Sequence, residues 1–284
     1  MKGVLSGLNW RQAALPLGVV TIAACLVSLA TGSDAVGVAL GNALLVGAVI
    51  VPLWLIVAAP AVWRAGTNGV IAILAVALLF LVNLIGLSLP RVGFFAELEW
   101  NWQGKTLDLI WCLLLIGLLS PQLRREIGWT WETRPATLPV AFVNIGILTF
   151  VGFVALGNNA VGGATQGLTL ERILFDASYP NLVEEIVFRG FMLALLDRAF
   201  GTPWTFAGAR IGWGIVLTAW LFGLVHGIWL DAEGMLVFDH VYLVMTFVAG
   251  LMLGWIRALT GSLWPAYLAH AAPEVGILLA LSLK

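Results

Sequence analysis

GVIAILAVALLFLVNLIGLSL, residues 69–89, runs for 21 residues without a charge. About 20 predominantly apolar residues cross the hydrocarbon core of a bilayer as a helix. The stretch shows none of the polar–apolar alternation of a half-buried strand. Its reading extends to the rest of the chain, because eight similar runs lie near 13–31, 37–60, 107–121, 137–157, 179–198, 211–229, 236–256 and 263–283. The run at 107–121 is short for a full crossing, and the one at 179–198 is the least apolar. The 284-residue chain is 61% hydrophobic and only 10% charged, against about 25% charged residues in a soluble domain. The expected fold is all-α: a polytopic transmembrane helical bundle of eight to nine membrane segments.

The run following MKGVLSGLNWRQ reads as a first spanning helix rather than a cleaved signal, since many more follow. With the N-terminus in the cytoplasm, Lys2, Arg11, Arg64, Arg124, Arg125, Arg134, Arg198, Arg210 and Arg257 fall on the inner side. Arg91, Lys105, Arg172 and Lys284 fall on the outer side. That asymmetry fits the positive-inside rule and predicts an integral protein of the cell inner or plasma membrane. Trp54, Trp63, Trp100, Trp102, Trp111, Trp129, Trp131 and Trp229 lie near predicted boundaries and read as interfacial anchors. Cys25 and Cys112 lie in separate apolar runs and read as packing residues. Two outer loops stand out, LPRVGFFAELEWNWQGK at 89–105 and GNNAVGGATQGLTLERILFDASYP at 157–180. Pro180 suits the first turn of the helix that follows. The chain divides into plain hydrophobic helices over 1–135 and a helical bundle over 136–284 that carries the unusual polar residues.

Those residues are Glu184, Glu185, Arg189 and Glu274, with His226 and His270, all inside predicted spans. A charge at the bilayer centre costs at least about 2.5–3.5 kcal/mol, so these groups must face the interior and find partners. Glu185 and Arg189 are four residues apart and share a helix face, which makes them a structural clamp. Glu184 is turned about 100° away and reads as a carboxylate left free to react. His226 and Glu184 sit near the same ends of antiparallel neighbours. His270 and Glu274 are again four apart, with Pro273 between them. One carboxylate and two imidazoles from three helices suit the activation of water: the Glu takes a proton, one His holds the nucleophile, the other stabilises an oxyanion. His240, beside Asp239, reads as interfacial.

EEIVFRG, 184–190, resembles the EExxxR motif of the CPBP family, also called Abi or type II CAAX prenyl endopeptidase-like. FGLVH, Phe222 to His226, resembles its FxxxH motif. His270 to Glu274 occupies the place of HxxxN, after a similar approach in GLMLGWIRALTGSLWPAYLAH. The likeness covers about 175–284. It implies an intramembrane glutamic endopeptidase in which Glu184 and His226 activate water and His270 and residue 274 form the oxyanion hole. Glu185, Arg189 and Phe222 would support them. Glu274 stands where the family has Asn, and an ionised Glu would repel an oxyanion.

The reading implies hydrolysis of a peptide bond in a peptide or protein substrate, lipidated or membrane-embedded, with the bilayer as the other partner. No basic patch points to nucleic acid. No cofactor or metal is expected. Zinc is the minor alternative, since Glu184, His226, His270 and Glu274 are all competent ligands, although HExxH is absent. The rival functions are a catalytically silent relative, serving as an immunity or scaffold protein, and a proton or solute transporter.

Overall fold

The computed structural model describes residues 3–134, 137–157, 169–231 and 233–283. Among them the chain is mainly helical. The front helices are α1 (Trp10–Thr31), α2 (Ser33–Ala65), α3 (Thr67–Ser88), α4 (Trp102–Leu118) and the short α5 (Pro121–Glu126). Next come α6 (Leu138–Gly157), α7 (Leu170–Ala177) and α8 (Tyr179–Glu184). A π-helical segment, Glu185–Met192, joins α8 to α9 (Leu193–Phe200). The chain then runs through α10 (Trp213–Gly227), α11 (His240–Thr260) and α12 (Leu263–Ser282). Two short antiparallel hairpins interrupt the helices: β1 (Trp204–Phe206) with β2 (Ala209–Ile211), and β3 (Ile228–Leu230) with β4 (Leu236–Phe238).

Local chemistry sets several helix ends. Asn9 and Gln12 cap α1 reciprocally, each side chain accepting the other's backbone N–H, at 3.0 and 2.7 Å. Asp239 caps α11 by accepting the Tyr242 N–H at 2.9 Å, which leaves His240 exposed at the first helical position. Pro180 occupies the first turn of α8, as its sequence position implied. Residues 158–168 of the loop that ends at Pro180 lie outside the described residues.

A helix occupies the place of each predicted span. Among the described residues, four of them, α1, α2, α3 and α11, are long and apolar enough to cross a membrane, by length and composition. The chain is an integral membrane protein, and these four candidate spans do not by themselves establish the expected eight to nine membrane segments. α4 has 17 residues and α10 has 15, about 25 and 22 Å, short of the ~30 Å hydrocarbon core. The sixth predicted span is a composite rod, with α8, the π segment and α9 end to end.

The tightest packing is of α6 on α12, α10 on α11 and α2 on α3. At the first of these the backbones touch: a Cβ added at Gly276 would lie 2.0 Å from the Thr149 carbonyl, and one at Gly152 2.0 Å from that of Pro273. Only glycine allows this approach, the means by which helices associate in lipid. The main core draws side chains from both sides of residue 135, among them Ile50, Phe80, Ile186 and Leu217. Trp54 and Trp111, expected at the interface, are instead fully buried here. Their indole N–H groups donate to the Leu217 carbonyl at 2.9 Å and to Asp108 at 2.8 Å, so their amphipathic rings anchor helix to helix rather than helix to headgroup. Cys112 is buried, whereas Cys25 is exposed on α1.

Candidate active site

The motif residues lie on the composite rod and two of its neighbours. The rod packs against α4, α10, α11 and α12, and every residue from Glu185 to Met192 is buried. π-helical turns are rare and recur at functional sites. Their wider turn brings Glu185 and Arg189 closer to eclipse than the 40° offset of an α-helix. The clamp read from their spacing is present: Arg189 Nη1 donates to Glu185 Oε1 at 2.9 Å, and both side chains are 0% exposed. The same oxygen accepts from His270 Nδ1, also at 2.9 Å. The Arg189 guanidinium covers the Phe222 ring, 4.3 Å from its centroid.

Phe222 sits at the centre of the aromatic packing. Its ring lies 4.3 Å from that of His226, 5.6 Å from that of His270 and 5.2 Å from that of Phe188. Its carbonyl accepts the His226 Nδ1–H at 2.8 Å. Each imidazole is thus held through Nδ1, His226 by a carbonyl and His270 by a carboxylate. That frees both Nε2 atoms, and both face one oxygen. Glu184 Oε2 lies 4.0 Å from His226 Nε2 and 3.7 Å from His270 Nε2. These gaps exceed a direct hydrogen bond and suit one bridging water.

Glu184 is not left free, as its rotation away from Arg189 had implied. Lys105 of α4 forms an ion pair with its Oε1. The sequence reading missed Lys105 because its partner is 79 residues away and the residue reads as a loop charge. The available signal was its spacing from Asp108, which places two opposite charges one turn apart in an apolar helix. Glu274 accepts a hydrogen bond from the Asn181 side-chain amide. Asn181 also escaped the sequence reading, although it lies one turn before Glu184 on the same helix face.

Two further segments, residues 99–102 and α7, pack together, and α7 also lies against α8 and α12. Glu171, on α7, accepts the backbone N–H groups of Trp100 (2.9 Å) and Glu99 (3.2 Å) and the indole N–H of Trp102 (3.2 Å). The Trp100 amide, the strongest of these influences, holds its carboxyl below the ordinary glutamate range despite the opposing effect of desolvation. Phe175 stacks on Trp100 at 5.3 Å and meets Trp102 edge-on at 5.0 Å. Tyr179 shares a 2.7 Å hydrogen bond with Thr106. Among the described residues, no group of three or more His, Cys, Asp or Glu is arranged to hold a metal ion.

The motif region lies within a recognised family segment. Residues 166–275 match the family described as type II CAAX prenyl endopeptidase Rce1-like. The match covers this segment of the chain and supports a likeness to that family there. The Rce1-like segment takes in Glu184, Glu185, Arg189, Phe222, His226, His270 and Glu274, and excludes Lys105. No curated protein and no solved structure matches the chain. At family level the match supports a CAAX-protease-like intramembrane peptidase.

Proposed function

We propose that the chain is a glutamic endopeptidase that cleaves a peptide bond at or in the membrane with a water activated by Glu184. The observation that carries this reading is the convergence of both Nε2 atoms on Glu184 Oε2, at 3.7 and 4.0 Å. A water there donates one hydrogen to Glu184 Oε2 and one to His226 Nε2, and its lone pairs face the substrate. Glu184 takes the proton as the oxygen adds to the carbonyl carbon. The intermediate collapses with cleavage of the C–N bond, and the amine leaves with the proton from Glu184. With Glu185 as counter-charge on Nδ1, a proton on Nε2 lets His270 donate to the oxyanion. Glu185 and Arg189 orient that ring, and Phe222 fixes the spacing of the two imidazoles. Glu274 and Asn181 form the adjoining polar wall. The reading needs no cofactor or metal. It takes a peptide or protein tail, with or without a lipid, as substrate and places the N-terminus in the cytoplasm.

The test is cleavage of an internally quenched, farnesylated peptide ending in a CAAX sequence, alongside its unlipidated copy. Glu184→Ala lowers kcat by at least about 100-fold, and a chelator leaves the wild type unchanged. Equal turnover by Glu184→Ala ends the glutamic reading. Loss of activity with the chelator, restored by zinc, replaces it with a metallopeptidase.

One observation favours a second reading, a catalytically silent relative: Glu274 stands in the third motif where Asn is the family residue. A wild type inert on both peptides, with cleavage gained by Glu274→Asn, establishes that alternative.

A further inference from the structure

We propose that Lys105 is a positioning residue for the hydrolytic centre: by taking Oε1 of Glu184, its ammonium presents Oε2 to both imidazoles. The inference rests on the reading of Glu184 as the base. It reaches into the front of the chain, since Lys105 lies on α4, outside the matched segment 166–275.

A glutamate carboxyl group turns readily about its last torsion, whose energy wells are broad. Left to itself, Glu184 would offer either oxygen, in any plane, to a water between His226 and His270. An ammonium fixed on one oxygen sets the plane of the group. The observed division of labour is complete: Oε1 meets Lys105, and Oε2 faces both Nε2 atoms.

The position of Lys105 is itself built. Asn101 caps the start of α4 by accepting the Gly104 N–H at 3.0 Å and donates to the Leu87 carbonyl at 2.8 Å. Thr106, the next residue, is tied to Tyr179 at the head of α8, which sets the register of the two helices. Asp108, one turn along, is fully buried and accepts from Asn83 at 2.7 Å and Trp111 at 2.8 Å. The Lys105 side chain is only 12% exposed. Desolvating an ammonium is costly, and a buried pair is weak support for stability in itself. A role in aiming the acid accounts for its place at this point.

The experiment uses the full chain in detergent, with Cys25→Ser as background. Lys105→Cys is assayed on the internally quenched farnesylated peptide before and after alkylation with 2-bromoethylamine, which rebuilds an ammonium of lysine length. The expected result is a kcat about 100-fold lower, KM within twofold of the wild type, and recovery of at least tenfold on alkylation. Lys105→Arg, which keeps the charge, retains more turnover than Lys105→Gln. A helix tie alone would lower the unfolding midpoint without a loss of kcat in the folded fraction, and that result overturns the proposal. So does a kcat loss that neither alkylation nor Lys105→Arg relieves. A wild type with no turnover sinks the hydrolase reading and the role of Lys105 together; an active wild type matched by Lys105→Cys sinks Lys105 alone.

Discussion

Oε1 of Glu185 accepts two hydrogen bonds, one from Arg189 and one from His270, each at 2.9 Å. The acid therefore serves both the fold and the site. Removing one partner of a buried pair strands the other charge, which costs about 3–5 kcal/mol. Arg189→Met should destabilise the protein by that amount in denaturant unfolding in detergent, and Arg189→Met with Glu185→Gln by less than the sum of the singles. Additive losses would show that the pair is uncoupled. The clamp was legible in the sequence because an i, i+4 pair is a local relation. Glu184, His226 and His270 were legible as a group because ionisable residues are conspicuous in apolar helices. Lys105 was hidden for the opposite reason: at the start of a short span beside a Trp-rich loop, a lysine looks like one of the outer basic residues. Its meaning depends on α4 lying against α8, a long-range packing relation that residue spacing does not encode.

Two elements set the geometry around the cluster. α12 carries His270, and its depth is fixed by the backbone contact with α6. A Cβ at residue 276 would meet the Thr149 carbonyl at 2.0 Å, so Gly276→Val must push the helices apart. Overpacking of this kind costs about 1–3 kcal/mol. The expected outcome is a lower unfolding midpoint with a larger proportional loss of turnover, whereas an unchanged midpoint would contradict the contact. The second element is α7, pinned by Glu171 to residues 99–102. Glu171 titrates below its ordinary value of 4.5 in the folded protein. Its contribution is therefore complete above pH 4.5 and is lost as the pH falls through that lowered value. Amide exchange at Trp100, corrected for the intrinsic rate, should quicken on acidification in the wild type and be fast and insensitive to pH in Glu171→Gln. The positions of α6 and α12 could be read from hydropathy, whereas α7 lies in a stretch that reads as an outer loop. The π segment could not, since nothing in EIVFRGFM marks a widened turn. Nor could the burial of Trp54 and Trp111, because a tryptophan near a span boundary does not declare which side of the helix it occupies.

At the scale of the molecule, α10 separates two ends of the bundle. The β3–β4 hairpin leaves one end, and α9, with Arg198 paired to Glu126, lies at the other. If the loop charges orient the chain as expected, Met235→Cys in the hairpin reacts with an impermeant maleimide added outside intact cells. Arg125→Cys on α5 reacts only after lysis. Both measurements use the Cys25→Ser background, and the reverse pattern inverts the orientation. The family segment accounts for residues 166–275, but the packed core does not respect that boundary, with Phe80 and Trp111 in the same cluster as Ile186 and Phe191.

The meeting of α4 with the head of α8 bears on how such a protein can be cut and recombined. Thr106 and Tyr179 set the alignment, and Lys105 completes a contact that begins 79 residues further along the chain. A graft of the motif-bearing helices onto a foreign front would carry over the acid and both imidazoles without the cation that aims them. The smallest transplantable unit is therefore larger than its signature motifs suggest, and it starts no later than the loop that leads into α4.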